Sequence, residues 1–159
     1  MQLPDSKLPG VGTTIFTVMS RLATEAGAIN LGQGFPDFQP PARLRELVAE
    51  HLVAGHNQYA PMPGLPALCE AVAEQMRRRQ GLALDPMREI TVTAGGTEAL
   101  FAAIHAVVRA GDEVVLLDPA YDSYAPAAGL AGARLRRVPL RVPDFAIDYG
   151  RLADAIGER

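Results

Sequence analysis

The stretch Thr93-Ala94-Gly95-Gly96-Thr97-Glu98-Ala99-Leu100 constrains this chain more than any other. Ahead of it, Glu89-Ile90-Thr91-Val92-Thr93 alternates apolar and polar side chains and is rich in β-branched residues, the pattern of a short strand. Behind it, Leu100, Ile104, Val107 and Val108 recur at helical spacing until Gly111 stops them. The glycine pair therefore turns a strand into a helix, with Thr97 placed to cap that helix through its hydroxyl. Glycines let a ligand approach the backbone, and the first N–H groups of a helix point outward at the positive end of its dipole. Such a turn makes a phosphate cradle. A plain Gly-Gly turn with a threonine cap uses the same residues, so the motif alone leaves both readings open.

The residues before this unit read as an N-terminal arm and three helices. Pro and Gly make residues 1–12 an extended arm. Thr13 or Thr14 can cap a helix with Ile15, Val18, Met19 and Leu22 on one face, ending near Gly27. A Gly/Pro-rich loop, Gly32-Gln33-Gly34-Phe35-Pro36, follows, and its glycines suit either close backbone approach or an ordinary loop. Pro40-Pro41 leads into a helix expected to turn Leu44, Leu47, Val48 and Leu52 inward and to stop at Gly55. After the proline-stiffened loop around Tyr59, Leu65, Leu68, Val72 and Met76 mark a third helix that stops near Gly81.

Beyond Gly111, Val114-Val115-Leu116-Leu117 is a continuous apolar run, the pattern of a strand buried on both faces. Asp118-Pro119 closes it and leaves Tyr121 at its carboxyl end. Residues 134–139 alternate as another strand, and Asp148 opens a last short helix through Leu152, Ala155 and Ile156. This alternation of helix and strand from about Leu65 onward predicts an α/β unit with a largely parallel sheet. Ligands of such sheets bind outside the carboxyl ends of the strands. The glycine turn and Tyr121 fall at such ends on consecutive strands, which suits a ligand with a phosphate at one end and a flat ring at the other. That pairing favours a cofactor site. The turn carries no Gly-x-Gly-x-x-Gly, and no Lys-Ser or Lys-Thr follows its glycines, so dinucleotide and nucleoside-triphosphate loops fit poorly.

Composition narrows the remaining classes. With 159 residues, 48% of them hydrophobic, the chain has the material for one domain-sized core. Net charge is -3, and Arg77-Arg78-Arg79 reads as the solvated face of an amphipathic helix, not a nucleic-acid stripe. No apolar stretch has the length of a membrane span, and the start lacks a signal-peptide pattern. The one cysteine, Cys69, reads as buried packing and suits a reducing, cytoplasmic setting. His51, His56 and His105 lack metal-ligand spacing, so no metal site is expected.

Several stretches, in order and in one register, carry a family resemblance. Ser6-Lys7-Leu8-Pro9, Thr13-Thr14-Ile15-Phe16-Thr17-Val18-Met19-Ser20, Leu31-Gly32-Gln33-Gly34-Phe35-Pro36-Asp37-Phe38, Asn57-Gln58-Tyr59-Ala60-Pro61 and Asp118-Pro119-Ala120-Tyr121-Asp122-Ser123-Tyr124-Ala125-Pro126 resemble the N-terminal part of class I pyridoxal-phosphate aminotransferases. Within that class they are most like the branch of methionine aminotransferases and kynurenine aminotransferases (cysteine-conjugate β-lyases). The resemblance implies a fold type I transferase: an α/β, partial three-layer sandwich with a mainly parallel sheet and an incomplete large domain. It implies an arm and small-domain segment over residues 1–45 and the first part of the cofactor-binding domain over 46–159.

By the same resemblance, Gly96 and Thr97 hold the phosphate of pyridoxal 5'-phosphate through their backbone, and Gly95 makes the turn. Tyr121 stacks on the pyridine ring, and Tyr59 reaches across a homodimer interface to the neighbour's phosphate. The Gly34 backbone meets the substrate carboxylate, Phe16 helps line the substrate pocket, and Tyr124 is a weaker candidate there. The implied activity is transamination between an amino acid, of methionine or aromatic type, and a 2-oxo acid. β-Elimination from cysteine S-conjugates on the same cofactor is an alternative that these residues do not separate, and a non-catalytic truncated product is another. Relatives carry the Schiff-base lysine later in their sequence, whereas Lys7, in the arm, is the one lysine among fourteen arginines here. The expectation is therefore an N-terminal portion of such an enzyme, with no catalytic residue of its own and no activity alone. Cys69 departs from the arginine that relatives often carry at its position.

Overall fold

The computed structural model describes residues 5–34 and 36–157; residues 1–4 of the expected arm, Phe35 of the glycine-rich loop and residues 158–159 lie outside the described residues. The elements are α1 (Ile15–Glu25), α2 (Ala42–Val53), α3 (Pro66–Gln80), α4 (Gly96–Val107), β1 (Glu113–Asp118), α5 (Tyr124–Leu130), β2 (Arg134–Pro139) and α6 (Tyr149–Ala155). They fall into two compact units, one of Ile15–Thr93 and the other of Met1–Thr14 with Ala94–Arg159.

The second unit is built on β1 and β2, which pair in parallel from Glu113 opposite Arg134 to Asp118 opposite Pro139. The β1–α5–β2 connection is the α/β unit expected from the alternation, and α5 packs on both strands. Its small side chains allow that approach: Ala127 and Ala128 are buried there with Leu116 of β1 and Val138 of β2. The helix α6 packs on β2, and α4 packs on α5. Asp148 caps α6 as expected, its Oδ1 accepting from the Arg151 N–H at 3.1 Å. Across the strands, the Arg136 guanidinium lies 2.7 Å from the Glu113 carboxylate, whose side chain is only 10% exposed. A carboxylate so placed needs its cation.

Three expectations around the glycine turn and β1 change. Residues 89–93 form no strand; the Val92 N–H donates to the Pro63 carbonyl at 2.8 Å. Alternation prepares a strand, but only a neighbouring ladder makes one, and among the described residues none runs beside it. The helix after the glycines begins one residue before Thr97: Gly95 holds the N-cap position, and Thr97 lies in the first turn instead of capping it. Finally, β1 is half-buried, with Leu116 alone fully covered, rather than buried on both faces.

In the first unit, α2 follows Pro41 and α3 has a proline in its first turn, where a missing N–H costs nothing. Gly81 ends α3 in the left-handed conformation, donating to the Arg77 carbonyl. Cys69 and Ala73 are buried on α3, with the Cys69 Sγ 3.7 Å from the Pro63 carbonyl. Cys69 is thus a packing residue, as expected. Gly64, at φ +118°, lies against it: a Cβ there would sit 2.7 Å from Val92 Cγ2 and 3.3 Å from the Cys69 Sγ. The arginine triplet is a solvated face: hydrogen bonds from Arg77 and then Arg78 hold the Glu74 carboxyl down to about 2.

The apolar faces of α1 and α2 are not turned inward. Ile15 and Leu22 of α1, and Leu44, Val48 and Leu52 of α2, are each more than half exposed. Among the described residues, no two helices of this unit pack extensively on each other. The sequence marked the apolar stripe correctly; what is absent among the described residues is a surface to receive it. The helix α4 is apolar almost all round and packs on α5, yet it has no buried residue. A helix of that composition belongs in a core.

The accessible surface gives the scale. The chain, of 16.9 kDa, exposes 13038 Å², whereas a compact monomer of that mass exposes about 7,700 Å² by the usual scaling. Exposed apolar side chains on α1, α2 and α4, among them Ile15, Leu22, Leu44, Val48, Leu52 and Val107, contribute to that excess. We predict that the 159-residue chain alone binds hydrophobic dyes and unfolds over a broad range by calorimetry. A soluble monomer with a sharp cooperative melt is the contrary result. A second expectation concerns packing: Gly64→Ala lowers the stability of the complete protein by about 1–3 kcal/mol, because its Cβ meets Val92 in a backbone conformation that alanine resists. Thermal denaturation of the two proteins checks it.

Candidate functional site

Seven residues were singled out as site candidates, and they divide between the two units. Gly95, Gly96, Thr97 and Tyr121 lie in the unit of Ala94–Arg159, and Gly34, Tyr59 and Phe16 in that of Ile15–Thr93.

The glycine turn has a demanding geometry. Gly95 sits at φ 100° and ψ 166°, a region essentially closed to residues with a Cβ. That conformation swings the chain from the extended residues before it directly into α4. The first turn of α4 presents N–H groups that no helical carbonyl can satisfy, at the positive end of the helix dipole. A Cβ added at Gly95 or Gly96 would meet nothing within 4 Å. Their flank is open space, and Gly95, Gly96 and Thr97 are all exposed. A tetrahedral anion fits such a start. One acidic group shares it: the Glu98 Oε2 accepts from the Ala94 N–H at 2.6 Å, reaching back across Gly95.

Tyr121 follows the carboxyl end of β1 and is half exposed. It meets Tyr124 edge to face, with centroids 5.8 Å apart and planes at 62°. The Tyr124 N–H donates to the Tyr121 carbonyl at 3.2 Å, so the tyrosine pair is fixed by the turn that starts α5. Tyr121 is thus braced by its neighbour, and half of its surface stays accessible. Ser123, between the two tyrosines at the N-cap position of α5, buries its hydroxyl with no hydrogen-bond partner among the described residues. Sequence reading passed over both α5 and this serine. Gly132, just past the helix, was the available signal.

In the other unit, Tyr59 is fully exposed at the tip of its proline-bearing loop. Gly34 is exposed, with open space where a Cβ would stand. Phe16 is half-buried on α1. Lys7 is exposed in the arm.

A different groove, of about 480 Å³, runs between β2 and α6 and holds three arginines. Arg136 is paired with Glu113, Arg137 with Asp118 and Arg151 with Asp148, at 2.7, 3.4 and 3.8 Å. Its cations are already neutralised, so it is a weaker anion site than the open glycine start.

Comparison with known proteins agrees with these elements. The family model for class I and II aminotransferases matches residues 26–159. The chain is 54% identical to a methionine aminotransferase of Escherichia coli, over 99% of this chain and 41% of that protein. It is 46% identical to a probable N-succinyldiaminopimelate aminotransferase of Mycobacterium tuberculosis, over 97% of this chain and 39% of the relative. With human kynurenine–oxoglutarate transaminase 1 it shares 40% identity over 84% of this chain and 32% of that protein. It superposes on a crystal structure of an Escherichia coli methionine aminotransferase with a TM-score of 0.95 at 53% identity, covering all of this chain and 42% of that one. The chain thus spans about two fifths of the length of the first two relatives. The matched proteins are enzymes that exchange an amino group between an amino acid and a 2-oxo acid, with the pyridoxal-phosphate fold type I architecture. By sequence and by fold, this chain belongs to the class I and II aminotransferase family.

Proposed function

We propose that the protein to which this chain belongs transfers an amino group from an amino acid of methionine or aromatic type to a 2-oxo acid, using pyridoxal phosphate. The observation that carries the reading is the open, glycine-lined start of α4 in one unit with a half-exposed Tyr121. Family membership says what chemistry such a pair serves. When bound, the cofactor supplies an electron-withdrawing ring and a carbonyl that exchanges for the amino group.

The residues of this chain position that ligand. The Gly96 and Thr97 N–H groups bind the phosphate, Gly95 shapes the turn, and Tyr121 stacks on the ring. Gly34 binds the substrate carboxylate through its backbone, and Phe16 lines the pocket around the substrate side chain. Tyr59, exposed on its loop, reaches the phosphate held by the second protomer of a homodimer. Residues 1–45 form the arm and a small-domain segment, and residues 46–159 begin the cofactor-binding domain of a cytoplasmic enzyme.

A covalent, proton-carrying lysine is needed besides. Lys7 is the one lysine in 159 residues, and it is exposed in the arm. We assign that role to a lysine outside residues 1–159. Borohydride reduction of the complete protein loaded with pyridoxal phosphate, followed by peptide mass mapping, is expected to label a lysine beyond residue 159 and to leave Lys7 unlabelled. In the same preparation, methionine or an aromatic amino acid with an acceptor 2-oxo acid is expected to yield the exchanged pair. Labelling at Lys7 contradicts the assignment. Oxo-acid and ammonia release without an acceptor contradicts transamination as the reaction.

A further inference from the structure

We propose that Glu98 is a positioning residue for the phosphate end of the cofactor site, acting by locking the Gly95 turn and not by touching the ligand. The inference rests on the cofactor reading above. Its basis is one contact: the Glu98 Oε2 accepts from the Ala94 N–H at 2.6 Å. The bond is short and charge-assisted, among the stronger kinds that a side chain makes to backbone.

Its location gives it the role. Ala94 and Glu98 flank Gly95, the residue at φ 100° and ψ 166°. Glycine reaches that region without a clash, but it also reaches many others, so the turn is permitted by Gly95 and not enforced by it. A Cβ at Gly95 or Gly96 would meet nothing within 4 Å, so crowding on this flank is not what calls for glycine there. No side chain caps α4 from its N-cap position either. The Glu98 carboxylate closes a ring from the first helical turn back to the residue before the cap and so restrains the peptide entering Gly95. Thr97, by contrast, offers no cap from within the turn. The direction of the contact matters as well. A carboxylate in the first turn of a helix competes with any anion for the N–H groups there. Drawn back to Ala94, this one has an oxygen committed on the entry side, and the phosphate is assigned the N–H groups of Gly96 and Thr97.

The test uses the complete protein stripped of cofactor, with pyridoxal phosphate and the phosphate-free pyridoxal as probes, in wild type, Glu98→Ala and Glu98→Gln. The readout is the ratio of the two affinities, which isolates the phosphate end from the ring end and does not depend on turnover. Wild type is expected to prefer the phosphate ester strongly. E98A is expected to reduce that preference by about tenfold, the scale of one lost charge-assisted hydrogen bond. Gln keeps an acceptor for Ala94, so E98Q is expected to restore most of the preference.

Three results overturn the inference: an unchanged ratio in E98A, equal losses for both probes, or an E98Q as poor as E98A. If wild type itself does not distinguish the two probes, the cofactor reading fails and takes this inference with it. Should E98A not fold, hydrogen exchange of the Ala94 amide in the cofactor-free wild type decides. Protection supports the lock, and exchange at the rate of an open chain overturns it.

Discussion

The parallel ladder between β1 and β2 is the interaction on which the unit holding Gly95 and Tyr121 depends. It is the one ladder of strands among the described residues. Parallel strands cannot be joined by a tight turn, so the ladder requires a crossover, and α5 supplies it. The crossover carries the buried alanines Ala127 and Ala128 that seal one face, and its start fixes Tyr121 beside Tyr124. The helix α4 packs in turn on α5, which brings the glycine turn into the same unit as the tyrosine. The candidate site thus depends on how two strands are connected, with the glycine turn and the turn before α5 supplying its residues.

The rest of the chain is defined by surface it does not bury. Among the described residues, six hydrophobic residues form the buried core, four of them in the strand unit. The amphipathic faces of α1 and α2, and the part of α4 that α5 leaves uncovered, are designs for burial without a receiving surface among the described residues. The methionine and N-succinyldiaminopimelate relatives are more than twice as long as the matched region, as a chain covering about two fifths of their length requires. On the function proposed above, the surface that covers these faces and the Schiff-base lysine both belong to protein outside residues 1–159.

What could be read from the sequence follows from the range of the interactions involved. Helix ends were legible because they are set by local chemistry: the prolines at the starts of α2 and α3, Gly81 in its left-handed cap, and Asp148 bonded to Arg151. The strand β2 matched residue for residue, since alternation and its bounding Pro139 are local as well. The seven-residue α5 was missed because a run of alanine, proline and glycine has no periodicity to read. Residues 89–93 carry the strand pattern but no ladder, and the apolar stripes of α1 and α2 carry no partner, because pairing and burial depend on a second surface. Of the site, Gly95, Gly96 and Tyr121 were visible as turn and strand-end residues. Thr97 was given a capping role that Gly95 holds, and Glu98 was passed over although a glutamate three residues after a cap position is a known signature.

The central claim is that the α4 start and Tyr121 together form the cofactor's phosphate and ring subsites. A crystal structure of the complete protein grown with pyridoxal phosphate tests it most directly. The account requires the phosphate within hydrogen-bond distance of the Gly96 and Thr97 N–H groups and the pyridine ring stacked on Tyr121. A phosphate bound elsewhere, or a ring that leaves Tyr121 uncovered, would contradict it.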